Sequence, residues 1–127
     1  MLEMKWLNDH YVAELSGVVT ISDTQSLYSQ LVSTERIEDI EYGLVDCTNI
    51  DRIEYVERDY ERQAVFAKTA SMIHRRDYKV AIVVSSEEIA TSVKKFFQAV
   101  REKFPHQWER RMFFDLQEGI DWASTKN

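Results

Sequence analysis

The sequence predicts a single α/β domain: an N-terminal hairpin joined to a mostly parallel five-stranded sheet with about four helices. The first observation behind this is the run Lys79-Val80-Ala81-Ile82-Val83-Val84, which passes directly into the helix start Ser85-Ser86-Glu87-Glu88-Ile89. A strand with no polar alternation has to be covered on both faces, and crossover helices between parallel strands are the usual cover. The second is that the strand-then-helix junction recurs, at Tyr42–Cys47 before a long helical pattern and at Arg110–Phe114 before Asp115. The third is that three glycines and one proline in 127 residues leave little chain for linkers. With no repeat and no composition break, residues 1–127 read as one domain with one core.

Taken in order, Leu2 to Leu7 forms the first strand and Asn8-Asp9-His10 a turn. The second strand, His10 to Ser16, alternates Tyr11, Ala13 and Leu15 with other neighbours and closes a hairpin on the first. Gly17-Val18-Val19-Thr20-Ile21 leads to a helix in which Ser22 and Gln25 have capping-box spacing, and Leu27, Tyr28, Leu31 and Val32 give the apolar stripe. After a charged turn, the third strand covers Tyr42 to Cys47 and ends at Thr48-Asn49. A long helix from about Tyr55 to Arg75 follows, with Val56, Tyr60, Ala64, Ala67 and Ser71 on one face, widened by Phe66, Ala70 and Ile73. Lys79–Val84 is the fourth strand, and Ser85 with Glu88 caps the next helix, whose stripe is Ile89, Val93, Phe96, Phe97, Val100 and Phe104, ended by Pro105. Arg110–Phe114 is the fifth strand, and Asp115 with Glu118 caps a terminal helix carrying Ile120, Trp122 and Ala123.

Composition removes several function classes. A net charge of -6 argues against a sequence-blind grip on nucleic acid phosphates. No stretch reaches the roughly 18 apolar residues of a membrane span, and the start Met1-Leu2-Glu3-Met4-Lys5-Trp6 lacks the layout of a secretory signal, so a cytoplasmic protein without an integral membrane segment is expected. The single cysteine, Cys47, sits in an apolar run and reads as a buried hydrophobe rather than a reactive thiol. His10, His74 and His106 have no ligand-like spacing, so no metal and no cofactor is expected. His74-Arg75-Arg76 reads as a cationic helix end, with anion binding together with Lys94, Lys95, Arg110 and Arg111 as the alternative. There is no nucleophile elbow, no glycine-rich phosphate loop and no Cys-His pairing, and Glu87-Glu88 and Glu57-Glu61 are explained by helix dipoles and solvated faces, so an enzyme is not expected.

The element order, Gly17-Val18-Val19-Thr20 after the hairpin, Tyr42-Gly43-Leu44-Val45-Asp46-Cys47-Thr48-Asn49-Ile50 as central strand and Phe113-Phe114-Asp115-Leu116-Gln117-Glu118-Gly119-Ile120-Asp121-Trp122 as closing unit together resemble the SpoIIAA-like proteins. That group has the STAS fold of anti-sigma-factor antagonists and is also compared with the lipid-binding CRAL-TRIO, or Sec14, fold. In the antagonists, the loop after the central strand carries an Asp-Ser pair whose serine is phosphorylated to control partner binding. Here no serine lies between Asp46 and Tyr55, and Thr48 is the only hydroxyl there besides that of Tyr55 itself, so the resemblance implies the fold without implying the phosphoserine switch.

Two readings of the function follow. In the first, the chain is a non-catalytic regulatory module that binds an unknown protein partner through the loop after the third strand, by Thr48, Asn49, Asp51 and Arg52. In the second, it is a Sec14-like domain whose second and third helices part around an apolar small molecule or lipid, in a cavity lined by Phe66, Ile73, Phe96 and Val100. The first is favoured, because these apolar stripes are about as wide as a core-facing helix needs. A homodimer is expected, since two-fold pairs are the commonest soluble oligomers.

Overall fold

Alternation decides the N-terminal half. In β2 (His10–Thr20) Tyr11, Ala13 and Leu15 are buried while Val12, Glu14 and Ser16 are half-buried, so one face of the strand belongs to the core. In this computed structural model, which describes residues 1–74, 78–103 and 108–125, that face continues onto β1 (Leu2–Trp6). The two strands pair antiparallel from Leu2 opposite Leu15 to Trp6 opposite Tyr11. The turn is closed by the Leu7 N–H donating to the His10 carbonyl at 2.9 Å.

The remaining strands are parallel and added in sequence order: β3 (Tyr42–Glu54) on β2, β4 (Tyr78–Val83) on β3, and β5 (Trp108–Phe113) on β4. Because every step moves the same way across the sheet, right-handed crossovers put α1 (Ile21–Ser33), α2 (Glu57–Ile73) and α3 (Glu87–Lys103) on one face. A short 3₁₀ turn, Glu35–Asp39, leads from α1 towards β3. The terminal α4 (Leu116–Ser124) folds back on the other face, over β3, β4 and β5.

The larger core lies between the sheet and α1–α3, with Tyr11, Leu31, Ile37, Ile40, Val19 and Val84 fully buried. The smaller lies under α4, where Tyr42, Leu44 and Ala81 meet Ala123, Ile120 and Trp122. Trp122 is held by cations on both counts: the Lys79 ammonium and the Arg111 guanidinium each lie 5.2 Å from its ring, and Lys79 also donates to the Trp122 and Thr125 carbonyls at the end of α4. One glycine is demanded by packing, since a Cβ on Gly43 would overlap the Tyr11 ring lying across it.

The expected α/β class, hairpin, five strands and four helices are all present, and several boundaries differ. The first helix is entered at Thr20 rather than Ser22, because β2 runs on through Thr20; the Asp23 carboxylate then accepts the Thr20 N–H at 2.9 Å. The third helix is capped by Ser86, whose hydroxyl accepts the Ile89 N–H at 3.3 Å, and not by Ser85, whose hydroxyl is turned to the Thr48 carbonyl at 3.0 Å. Asp115 caps α4 as expected, accepting the Glu118 N–H at 2.9 Å. The second helix runs from Glu57 to Ile73, inside the wider expected span. Phe104, Pro105, His106, Arg75 and Arg76 lie outside the described residues.

The main correction concerns β3, expected to end at Cys47 and found to continue to Glu54. Its pairing with β2 steps from Glu14 opposite Asp46 to Ser16 opposite Asn49, and again from Gly17 opposite Ile50 to Val18 opposite Arg52. Each step gives β3 one residue more than β2, so two bulges shift its inward side chains from a spacing of two to a spacing of three, through Cys47, Ile50 and Ile53. Gly17, at φ +68°, takes the left-handed conformation at the second step.

Candidate functional site

Since β4 stops at Val83, opposite Asp46, and the first strand reaches no further than Ser16, which is hydrogen-bonded to Met1, the stretches Gly17–Thr20 and Thr48–Glu54 project past the sheet as a two-stranded arm. Thr48, Asn49, Asp51 and Arg52, expected in a loop, therefore stand on a paired strand. Asn49, Asp51, Arg52 and Glu54 are exposed along the outside of the arm, while Ile50 and Ile53 are half-buried on its inside. Arg52 donates through Nε and Nη2 to one Glu54 oxygen, at 3.0 and 2.8 Å. Both groups are open to water, so the pair is worth at most about 1 kcal/mol.

Thr48 is fixed at the base of the arm. Its hydroxyl donates to Asp46 Oδ1 at 2.7 Å, its N–H donates to the same oxygen at 3.0 Å, and its carbonyl receives the Ser85 hydroxyl. This is the turn-forming role ordinary for an Asp two residues before a hydroxyl. The arm ends in Tyr55 and Val56, the two residues that connect β3 to α2. Val56 offers no capping acceptor, and Asp59, buried in the first turn, accepts the Val56 N–H at 2.9 Å.

All four helices start at this carboxyl edge of the sheet, where open α/β sheets place ligands. Each carries its own acid in the first turn: Asp23 on α1, Glu57 and Asp59 on α2, Glu87 and Glu88 on α3, Glu118 beside the cap Asp115 on α4. The positive ends of the helix dipoles are thus already met by carboxylates, which disfavours an anionic ligand such as phosphate at this edge.

Beneath the arm, between the sheet and the three helices, is a cleft of about 60 Å³. Its buried walls include Val19, Val45, Cys47 and Phe96, and the half-buried Tyr28, Ile50, Ile53, Tyr55, Gln63 and Ser92 stand nearer solvent. The Tyr55 and Thr24 hydroxyls are hydrogen-bonded to each other, and the Tyr60 hydroxyl donates to Ser92 Oγ at 3.1 Å. Burial drives the Tyr55 phenol well above the usual tyrosine range. Burial, with the Asp46 carboxylate adding to it, pushes the Cys47 thiol up to about 12, so at neutral pH it is an unreactive apolar group.

Among the described residues, the four expected to line a cavity between α2 and α3 do not share one. The two helices pack closely because α2 presents the fully buried Ala64, Ala67 and Ala70. Of the four residues expected to line it, Phe96 and Val100 are core residues, Phe66 is half-buried over a shallow depression with Arg58, Glu61, Arg62 and Val65, and Ile73 is exposed. Only Phe96 borders the cleft. Of the residues that do form the cleft with it, Ile50 and Ile53 were signalled by an apolar spacing of three after Cys47, which a search for strict alternation passes over, and Tyr55 follows two residues later.

His10 stacks on Tyr42 at 4.6 Å between ring centres, with Asp9 at 2.7 Å, and the His74 carbonyl accepts the Trp108 indole N–H at 3.2 Å. Among the described residues no group of three or more His, Cys, Asp or Glu side chains is placed to hold a metal, and no helix is long and apolar enough to cross a membrane.

No family model and no curated protein sequence matches the chain. Solved structures do. An uncharacterised protein of the DUF3478 family with a SpoIIAA-like fold from Shewanella loihica PV-4 matches with a TM-score of 0.52 at 21% identity, over 97% of this chain and 92% of that one. The unphosphorylated anti-sigma factor antagonist SpoIIAA matches with a TM-score of 0.58 at 10% identity, over 99% and 100%. An anti-sigma factor antagonist from Mycobacterium paratuberculosis matches with a TM-score of 0.57 at 10% identity, over 98% and 94%. The fold is therefore SpoIIAA-like, and the Sec14 side of the resemblance has no support among these structures.

Proposed function

We propose that this protein is a non-catalytic regulatory module that binds a partner protein on the outer side of the β2–β3 arm, through Asn49, Asp51 and Arg52, with Thr48 holding the arm's base. The observation that carries the reading is the division of the arm: apolar Ile50 and Ile53 anchor it from within, and a polar row stands exposed on a paired, fixed backbone. A preformed surface of this kind binds with little ordering cost. Two of the solved structures it resembles are anti-sigma factor antagonists by name, which supports a protein as the partner.

SpoIIAA is known in phosphorylated and unphosphorylated forms. In this chain the β3–α2 connection is Tyr55-Val56, without serine or threonine, and the Thr48 hydroxyl is engaged with Asp46; the module is proposed to act without a phosphoserine switch. Self-association belongs to the same proposal, with the exposed Val65 and Ile73 on the outside of α2 as the contact, as does a cytoplasmic location. A Sec14-like lipid site is the weaker reading, since the residues expected to line it do not share one cavity: Phe66 lies over an open depression rimmed by the charged Arg58, Glu61 and Arg62, and Ile73 is exposed. The test is affinity capture from the native host with the wild type, Asp51→Lys and Thr48→Ala. The reading requires a stoichiometric partner lost with Asp51→Lys, weakened with Thr48→Ala, and bound to wild type that carries no phosphate; retention by Asp51→Lys contradicts it.

A further inference from the structure

We propose that the outer edge of β5 docks an extended acidic segment of a partner protein, added to the sheet as a further, antiparallel strand. This surface is separate from the arm, and the inference stands independently of the reading given for it. The strand order ends at β5, so among the described residues no strand pairs with its far side. The Val84 N–H donates to the Phe113 carbonyl, which turns the backbone groups of Phe113 towards β4. By the alternation of a strand, those of Arg111 and Glu109 face the same way, and the N–H and carbonyl of Met112 and Arg110 are directed to the open edge. An edge of this kind is a template for another strand.

The side chains decide which strand fits. Arg111 and Phe113 stand on the α4 face, where the Arg111 guanidinium lies over Trp122 and Phe113 packs on the same ring. Arg110 and Met112 stand on the other face, where the Arg110 guanidinium lies over the Phe96 and Trp108 rings. Two adjacent arginines thus flank the edge, one on each face, in a chain whose net charge is -6. Arg111 is exposed, and among the described residues no carboxylate forms an ion pair with it or with Lys79, the second cation over Trp122. A strand laid against β5 is therefore best matched by consecutive acids opposite Arg111 and Arg110 and by apolar residues opposite Phe113 and Met112. The exposed Phe114 and Leu116 that follow β5 extend the apolar half. Edge charges ordinarily keep other strands away, and two of one sign keep away every strand but one of opposite charge. A second copy of β5 is the poorer occupant, because each two-fold register sets Arg110 or Arg111 against itself. Antiparallel pairing is the more stable per residue.

The experiment is an amide-resolved NMR titration of the full chain with the end-capped peptide Ile-Val-Glu-Glu-Lys-Thr, whose first residue is set opposite Phe113 and whose acids are set opposite Arg111 and Arg110. Saturable shifts and slowed hydrogen exchange are expected at the Met112 and Arg110 amides, with the arm unaffected. N-methylation of the peptide's second residue, opposite Met112, removes a ladder hydrogen bond and should abolish binding. N-methylation of its third residue, whose N–H is directed away from β5, should leave binding in place. Replacing the acids, as in Ile-Val-Lys-Lys-Glu-Thr, should weaken binding about five-fold or more, the range of a cross-strand charge pair turned repulsive. Arg111→Glu should reverse that preference; should the variant fail to fold, the two methylated peptides decide the matter on the wild type. Shifts that stay linear, equal binding of the two methylated peptides, equal binding of the acidic and lysine peptides, or saturable shifts confined to the arm would each overturn the proposal. So would binding of phosphatidylglycerol vesicles by wild type that takes up no peptide, which makes these cations a membrane contact instead.

Discussion

Gly43 and Cys47 show how single residues fix the centre of the sheet. The Tyr11 ring occupies the space a side chain at position 43 would need, so Gly43→Ala forces the ring or the strand to move. Overpacking of this kind costs about 1–3 kcal/mol; urea unfolding should show that loss, and an unchanged midpoint would mean the ring is not held where it is described. Cys47 makes a prediction about pH. Its thiol is raised from 9.0 to about 12 by burial, so the folded state holds its proton more tightly than the unfolded chain does. Between those values the unfolded state binds fewer protons, and stability falls as pH rises through the window, by up to about 1.4 kcal/mol per pH unit for one group. Unfolding midpoints measured across that range should decline more shallowly in Cys47→Ala, although that variant starts lower because a buried group is removed. A thiol reagent should leave native Cys47 unmodified at pH 8, and rapid labelling would contradict its placement in the core.

At the level of elements, the capping residues separate what local sequence determines from what the sheet determines. Asp115 was legible because cap, turn and helix lie within four residues, and Asp115→Ala should cost about 0.5–2 kcal/mol, readable as a lower thermal midpoint and faster hydrogen exchange in α4. No loss in either would show the cap is not used. Ser22 and Ser85 had the spacing of capping boxes and do not cap, because the sheet intervenes: β2 carries on to Thr20, and the Ser85 hydroxyl is taken by the Thr48 carbonyl of β3, leaving the cap to Ser86. The arm was hidden for a related reason. Its apolar residues follow two bulges, and bulges arise from pairing with β2, a partner more than thirty residues away, rather than from any local pattern. The amphipathic stripes of α1 and α3 were legible since each is a one-helix property; how closely α2 and α3 pack depends on the small alanines of α2 meeting its neighbour.

The whole molecule has one sheet face closed by three helices, the other partly closed by α4, and an arm that extends beyond both layers. Sequential strand order and right-handed crossovers bring every helix start to the arm's end of the sheet, where first-turn carboxylates balance the dipoles. The candidate surface is thus acidic in its surroundings and fixed in its backbone, properties that suit recognition of another protein better than chemistry on a substrate. Pairing in solution should depend on α2, and sedimentation should give a dimer for the wild type and a monomer for Val65→Glu; a dimer in both places the contact elsewhere. The most direct test of the central claim, that the outside of the arm is the partner surface, is site-specific photocrosslinking in the native host with the probe at Asp51 and, as a control, at the exposed Glu3 on β1. One partner protein should be crosslinked from position 51, absent from position 3, and lost when Arg52→Glu is added without change in thermal midpoint. Equal crosslinking from both positions, or none from position 51, would contradict it.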